Sequence, residues 1–354
     1  VAALTVVISH LHGLGFANLQ AVHDFFDGGR PAVSFFFILS GFILSYNYKD
    51  LSNSPKIKNF WVARFARIYP IHLLGLAIAL TGFAIFTWKG EYLEVLRLYS
   101  VKPEYHFRGM SINSTPLLFI SFLAQLLLLT AWLPVASLNQ PWNGPAWSIS
   151  CEAFFYAMFP WLNRKVPKRA SRGLLLITIL FALQILLILG LKHLSPKTNF
   201  LVSQFPLTHL PDFIAGVIAG NIHNRGQLQA IRSRSTEIFF AALAMIGILS
   251  AWRPIAPMYV VLEPAFVALI FSVANMRSSA TTKLMSAGIF KTLGESSYSL
   301  YIVHVPCLVL LSALGLYLPW QGLLLGLIGL SVALHGFIEE PARKWLRGKF
   351  ARPV

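Results

Sequence analysis

GLLLITILFALQILLILGL, residues 173–191, carries no Asp, Glu, Lys or Arg. A helix of that length rises ~28 Å at 1.5 Å per residue, close to the roughly 30 Å hydrocarbon core of a bilayer. Comparable runs recur at residues 117–133, 238–252 and 300–318, and 56% of the chain is hydrophobic against 12% charged. A soluble chain could not solvate such a surface, so the fold class expected is all-α and polytopic, with one membrane domain.

The charges sharpen that reading. Of 29 Lys and Arg, 21 fall in residues 49–67, 164–172, 225–234, 277–291 and 343–352, each a short segment beside apolar runs. This is the distribution of cytoplasmic loops under the positive-inside rule, with anionic lipid headgroups as contacts. The formal charge of +16 therefore does not point to nucleic acid, and no nucleic-acid-binding motif accompanies it.

Eleven apolar segments are visible, at about residues 1–17, 31–48, 68–88, 115–134, 145–162, 173–191, 205–221, 236–251, 256–274, 294–315 and 320–338. If the basic segments and both termini are cytoplasmic, the number of crossings is even. Three segments lie between the basic loops at 49–67 and 164–172, where two crossings are needed, so ten spans are expected. The partial element is placed in residues 139–147 together with the apolar segment after them, or in the connection 88–114. Irregular backbone at membrane depth persists only inside protein or along a cavity. Residues 1–340 read as one transmembrane domain and 341–354 as a basic cytoplasmic tail. Val1 lies inside an apolar stretch without an initiator Met, so a preceding segment is expected. Cys151 and Cys307 both sit in apolar segments and read as buried thiols rather than a disulfide.

Ionisable side chains inside apolar helices are costly and by default mark function. His10 lies about 14 Å from Val1 by helical rise, near mid-depth, with His12, His23, Asp24 and Asp27 following toward the outer end. In FWVARFARIYPIHL, residues 60–73, Arg64 and Arg67 share a helix face and offer two guanidinium forks to one anion. A flank snorkelling to lipid headgroups is the structural alternative. Pro70 fits the first turn of a new helix, which would place the pair at that helix's cytoplasmic mouth. Glu152 in GPAWSISCEAFFY, residues 144–156, needs a cation or a hydrogen-bonding network, with His10, Arg64 and Arg67 as candidates. LGESSYSLYIVHVP, residues 293–306, carries Glu295, His304 and a run of hydroxyls that serve equally well as helix-helix contacts. IEEPARKWLR, residues 338–347, reads as an interfacial helix.

In this order, VVISH ending at His10, SFFFILSGFIL (34–44), Arg64-x-x-Arg67-x-x-Pro70, WSISCE (147–152), SYSLYIVH (297–304) and EEPARKWLR resemble the acyltransferase family 3 membrane proteins, bacterial O-acyltransferases, over nearly the whole chain. Members usually carry an Arg eleven residues before this His, a position upstream of Val1. Many also carry a C-terminal esterase-like domain, so the sequence reads as the stand-alone form. The resemblance implies a bacterial inner-membrane enzyme that moves an acyl group, expected to be acetyl, from cytoplasmic acetyl-CoA to a hydroxyl of a surface polysaccharide or lipid-linked sugar.

It further implies that Arg64 and Arg67, with Ser40 and Tyr69, hold the donor through its phosphates. His10 is then the expected general base, since imidazole ordinarily titrates near neutral pH, with a transient acyl-histidine as the less favoured alternative. Glu152 is expected to orient His10 or a second base, with Trp147, Ser148, Ser297, Tyr298 and His304 lining the acceptor chamber. No metal is implied, because no tight ligand cluster is present. A transporter or flippase for an anionic or lipid-linked substrate is the rival reading, since buried His, Glu and Arg also line substrate paths.

Overall fold

The computed structural model describes residues 2–26, 29–91, 94, 106–107, 110–111, 115–133, 136–194, 203–252, 258–276 and 280–351. Asp27, Arg277 and Arg352, and most of the 88–114 connection, lie outside the described residues. The regular structure of the described residues is helical apart from a short antiparallel ladder, β1 (His106–Phe107) with β2 (Met110–Ser111).

The helices in chain order are α1 (Ala2–Gly13), α2 (Gln20–Phe25), α3 (Arg30–Asn47), α4 (Ser54–Trp88), α5 (Thr115–Leu126), α6 (Ala136–Asn139), α7 (Ala146–Lys165), α8 (Ala170–Leu194) and α9 (Pro206–Asn224). They continue as α10 (Gln229–Ser233), α11 (Ser235–Trp252), α12 (Met258–Asn275), α13 (Ala280–Met285), α14 (Gly288–Glu295), α15 (Ser297–Ala313), α16 (Trp320–Leu334) and α17 (Glu340–Phe350). By length and composition, Ser54–Trp88, Ala170–Leu191 and Trp320–Phe350 are able to cross a membrane, as is the pair α14 and α15, bent by 55° at Ser296. The surface agrees with that assignment. On α8, Leu183, Leu186 and Leu187 are exposed while Gln184 is buried, the reverse of a soluble helix and what lipid on the outside requires.

Two helix pairs organise the interior. α3 and α9 approach so closely that a Cβ on Gly41 would stand 2.2 Å from the Phe213 carbonyl oxygen, and one on Gly216 would stand 2.0 Å from that of Ile38. Gly216 and Gly220 form a small-xxx-small face, the usual device for close helix packing in lipid. α4 and α15 run side by side in the same direction. Tyr298 donates to the Ile68 carbonyl (2.6 Å), Gly75 faces Ile302, Gly82 faces Leu310 and Lys89 donates to the Ala313 carbonyl (2.6 Å).

One expectation about α4 is corrected. Pro70 lies inside a single 35-residue helix rather than in the first turn of a new one. A proline in a helix deprives the carbonyl four residues earlier of its partner, and elsewhere in this bundle side chains take up the freed oxygens. Pro306 frees the Ile302 carbonyl, which accepts from Asn143 Nδ2 (3.0 Å), and Pro160 frees that of Tyr156, which accepts from Trp61 Nε1 (3.2 Å).

Residues 140–145 form an irregular junction between α6 and α7, with Asn143 and the adjoining Asn139 wholly buried and Trp142 at φ 70°. Its backbone is satisfied by side-chain amides, Gln125 Nε2 donating to the Pro141 (3.1 Å) and Asn143 (3.0 Å) carbonyls. The preceding α5 is only 12 residues long, about 18 Å by helical rise, and is followed by a 3₁₀ turn at Thr130–Trp132.

Candidate active site

A cavity of about 290 Å³ opens between α3, α4, α7 and α15. Ser40, Arg64, Arg67, Ser148, Glu152, Ser297 and Tyr298 all line it, and so do Tyr156 and Tyr301. Residues up to 268 positions apart in the chain thus share one wall (Val33 and Tyr301). The remainder is apolar, with Phe36, Phe37, Ile43, Ile68 and Ile149 among it. Such a volume lies at the lower end of the roughly 300–1,000 Å³ usual for small-molecule sites. It suits a thin chain rather than a bulky head group.

Glu152 has neither His10 nor an arginine as its hydrogen-bonding partner. Its Oε1 accepts from Ser40 (3.0 Å) and from Tyr156 (2.5 Å). The two arginines differ from each other. Arg64 donates to the Tyr48 hydroxyl (3.1 Å) and stacks over the Tyr48 and Tyr156 rings at 5.4 and 5.9 Å. Its buried Nε has no hydrogen-bond partner, so the guanidinium retains a donor. Arg67 lies over the Tyr298 ring at 5.5 Å and is ion-paired with Glu339.

Glu339 reaches Arg67 because a π turn at His335–Glu339 separates α16 from α17. It is wholly buried and also accepts from Ser299 (2.7 Å). π turns of this kind frequently sit at functional sites. The pattern of residues 338–347 suggests a helix at the membrane surface; α17 does carry the basic face, but Glu339 belongs to the interior.

The imidazoles stand one layer deeper. His10 Nδ1 and His304 Nε2 are 2.9 Å apart, and His304 Nδ1 is 3.2 Å from the Leu300 carbonyl oxygen. From Tyr298 to His304 is about 9 Å along the helix. Tyr301 stands between, its ring 6.1 Å from that of His304 and its hydroxyl 2.8 Å from Ser148 Oγ. The cavity ends at this Tyr301 layer, so His10 and His304 lie beyond its lining. His304 is fully buried, whereas His10 keeps some exposure. His12 and His23 pack ring to ring at 4.9 Å on the same side.

Two further expected residues stand outside the lining. Tyr69 donates to the Leu126 carbonyl (3.1 Å) and stacks on Phe65. Trp147 packs between Phe37 (6.2 Å) and His209 (5.5 Å). Glu295 is exposed at the end of α14.

Behind Trp147 lies a polar cluster that sequence reasoning misses. Gln184 Nε2 points to the Thr208 carbonyl (2.9 Å), Asp212 Oδ1 (3.0 Å) and Glu263 Oε1 (3.1 Å), while His209 Nδ1 is 3.1 Å from Asp212 Oδ2. Both carboxylates are wholly buried, and no Lys or Arg pairs with either among the described residues. A signal is present in the sequence: Asp212 in LPDFIAG and Glu263 in VLEPAF are lone acids in apolar runs, the same costly anomaly that singles out Glu152. Among the described residues no group of three His, Cys, Asp or Glu stands together as metal ligands.

A family model described as an acyltransferase domain matches residues 1–336. The chain is 26% identical to acyltransferase MdmB of Streptomyces mycarofaciens, covering 92% of this chain and 83% of that protein. It is 24% identical to O-acetyltransferase OatA of Staphylococcus aureus strain NCTC 8325 / PS 47, an alignment that takes in all of this chain and 59% of that protein. No solved structure matches.

Proposed function

Because this chain belongs to the acyltransferase-domain family and is therefore an acyltransferase, we propose that it moves an acetyl group from cytoplasmic acetyl-CoA to a hydroxyl of a carbohydrate-type acceptor. The acceptor class follows that of the bacterial enzymes it resembles, cell-surface polysaccharide or lipid-linked sugar. The proposed setting is the bacterial inner membrane, with ten crossings, both termini cytoplasmic, residues 1–340 as the catalytic membrane domain and 341–354 as a basic tail.

One observation carries the reading. Arg64 and Arg67 share a narrow, largely apolar cavity with Ser40 and Glu152, and that cavity points along α15 toward the His10–His304 pair. A coenzyme A thioester is an anionic head on a thin arm. At about 290 Å³ the cavity admits the arm and acyl end, leaving the nucleotide and its phosphates at the mouth. Arg64, with a donor to spare, is the principal phosphate contact, and Arg67 acts with its charge moderated by Glu339. Glu152 holds Ser40 and Tyr156 in place along the arm. Trp147 and Tyr69 act by packing, Ser148, Ser297 and Tyr298 flank the path, and His304 stands beyond it against His10.

In the transfer, His10 takes the proton of the acceptor hydroxyl as its oxygen attacks the thioester carbonyl. A tetrahedral oxyanion forms, the carbon–sulfur bond breaks, and the thiolate leaves, recovering the proton from His10. Passage of the thioester past Tyr301 requires that side chain to rotate, since the cavity ends there.

The full chain in lipid nanodiscs, given labelled acetyl-CoA and cell-envelope glycan, is expected to consume thioester and label the glycan. His10→Ala is expected to abolish both while leaving thermal unfolding unchanged. Wild-type consumption by His10→Ala would remove His10 from the mechanism. Uptake of label into vesicles without thioester loss would favour a carrier.

A further inference from the structure

Each contact of the two imidazoles constrains where their hydrogens lie. The Leu300 carbonyl oxygen only accepts, so His304 Nδ1, 3.2 Å away, carries a hydrogen. A neutral imidazole has one N–H and one bare nitrogen, which leaves His304 Nε2 bare. The 2.9 Å contact between His304 Nε2 and His10 Nδ1 needs a hydrogen between them, and His10 must supply it. No carboxylate stands within ion-pairing distance of either ring among the described residues, so a neutral pair is the arrangement that needs no unpaired buried charge.

We infer that His304 is a positioning residue that holds His10 as its Nδ1–H tautomer, making His10 Nε2 the nitrogen that accepts the proton of the acceptor hydroxyl. Unconstrained histidine prefers the opposite tautomer, with hydrogen on Nε2, which has no lone pair to offer there. The Leu300 carbonyl and His304 together therefore play the part an orienting carboxylate plays for other catalytic histidines. The protons balance: the hydroxyl proton passes to Nε2, the hydrogen on Nδ1 stays directed at His304 throughout, and the leaving thiolate takes back the Nε2 proton. Placement follows from packing. α1 and α15 are in contact, and Pro306 two residues after His304 fixes the local backbone.

This inference rests on His10 as the general base, and the two separate experimentally. In the full chain, labelled with ¹⁵N-histidine and held in nanodiscs, solid-state NMR is expected to show His10 with a protonated Nδ1 and a bare Nε2. In His304→Leu the His10 ring is expected to move to the Nε2–H tautomer, and acetyl-CoA consumption to fall ~10–100-fold, the usual effect of losing an orienting partner, with acetyl-CoA affinity unchanged. His304→Gln places an amide oxygen near the lost Nε2 and is expected to restore the tautomer and part of the rate. A protonated Nε2 on His10 in the unaltered chain, or an undiminished rate in His304→Leu, overturns the inference. Should His304→Leu fail to fold, the spectrum of the unaltered chain still decides. Failure of the base reading itself is reported by His10→Ala, whatever the tautomer.

Discussion

At the scale of single residues, the two arginines of one motif separate into different physical roles. Arg67 balances Glu339, wholly buried, so Arg67→Ala leaves that carboxylate with only His335 (3.2 Å) and Ser299 (2.7 Å) as partners and is expected to lower the unfolding temperature, with Arg67→Ala/Glu339→Gln recovering much of the loss. Arg64 has a tyrosine hydroxyl and two ring faces as partners. Its loss is expected to leave unfolding nearly unchanged and to weaken acetyl-CoA binding measured by calorimetry. Equal affinity in Arg64→Ala and the parent would return Arg64 to a lipid-anchoring role. The cluster behind Trp147 poses the opposite case, with two buried carboxylates and one imidazole but no fixed cation among the described residues. Glu263→Gln removes an ionisable group while keeping the shape that accepts from Gln184, so it is expected to unfold at or above the parent temperature. Gln184→Leu removes the shared donor and is expected to unfold well below it.

Among the elements, close helix contact and broken helices do most to shape the site. α3 brings Ser40 to the cavity only because Gly41 and Gly216 let it press against α9. Gly216→Ala, with its Cβ at 2.0 Å from the Ile38 carbonyl oxygen, is expected to cost roughly 1–3 kcal/mol through forced backbone shifts and to reduce turnover more than donor affinity. Unchanged unfolding in that variant would show the helices free to separate. The π turn after α16 acts the same way in reverse, since without it Glu339 would fall off the line that meets Arg67. The prolines of α7 and α15 free carbonyls that Trp61 and Asn143 then tie to neighbouring helices, turning potential defects into fixed contacts.

For the whole molecule, the expected topology is open to direct mapping. Cys151 and Cys307 are buried, which makes the native background quiet, so single cysteines at Lys168 and Gly348 are expected to react with an impermeant maleimide only from the cytoplasmic face, and one at Gly90 only from the other. Labelling of residues 90 and 168 from the same side would remove the ten-span arrangement. The membrane class is legible in the chain because apolar run length and the clustering of Lys and Arg are properties of sequence order and the bilayer acts on them directly. His10 and Glu152 stand out as candidates for the same reason, as ionisable groups that hydrocarbon penalises, and Arg64 and Arg67 by their spacing on one helix face. Their partners do not stand out. That Arg67 meets Glu339, that Glu152 meets Ser40 and Tyr156, and that His10 meets His304 across 294 positions all depend on helix rotation and crossing. Those are set by glycine contacts and helix breaks acting together, and a one-dimensional pattern of apolar residues does not encode which face of one helix meets which face of another.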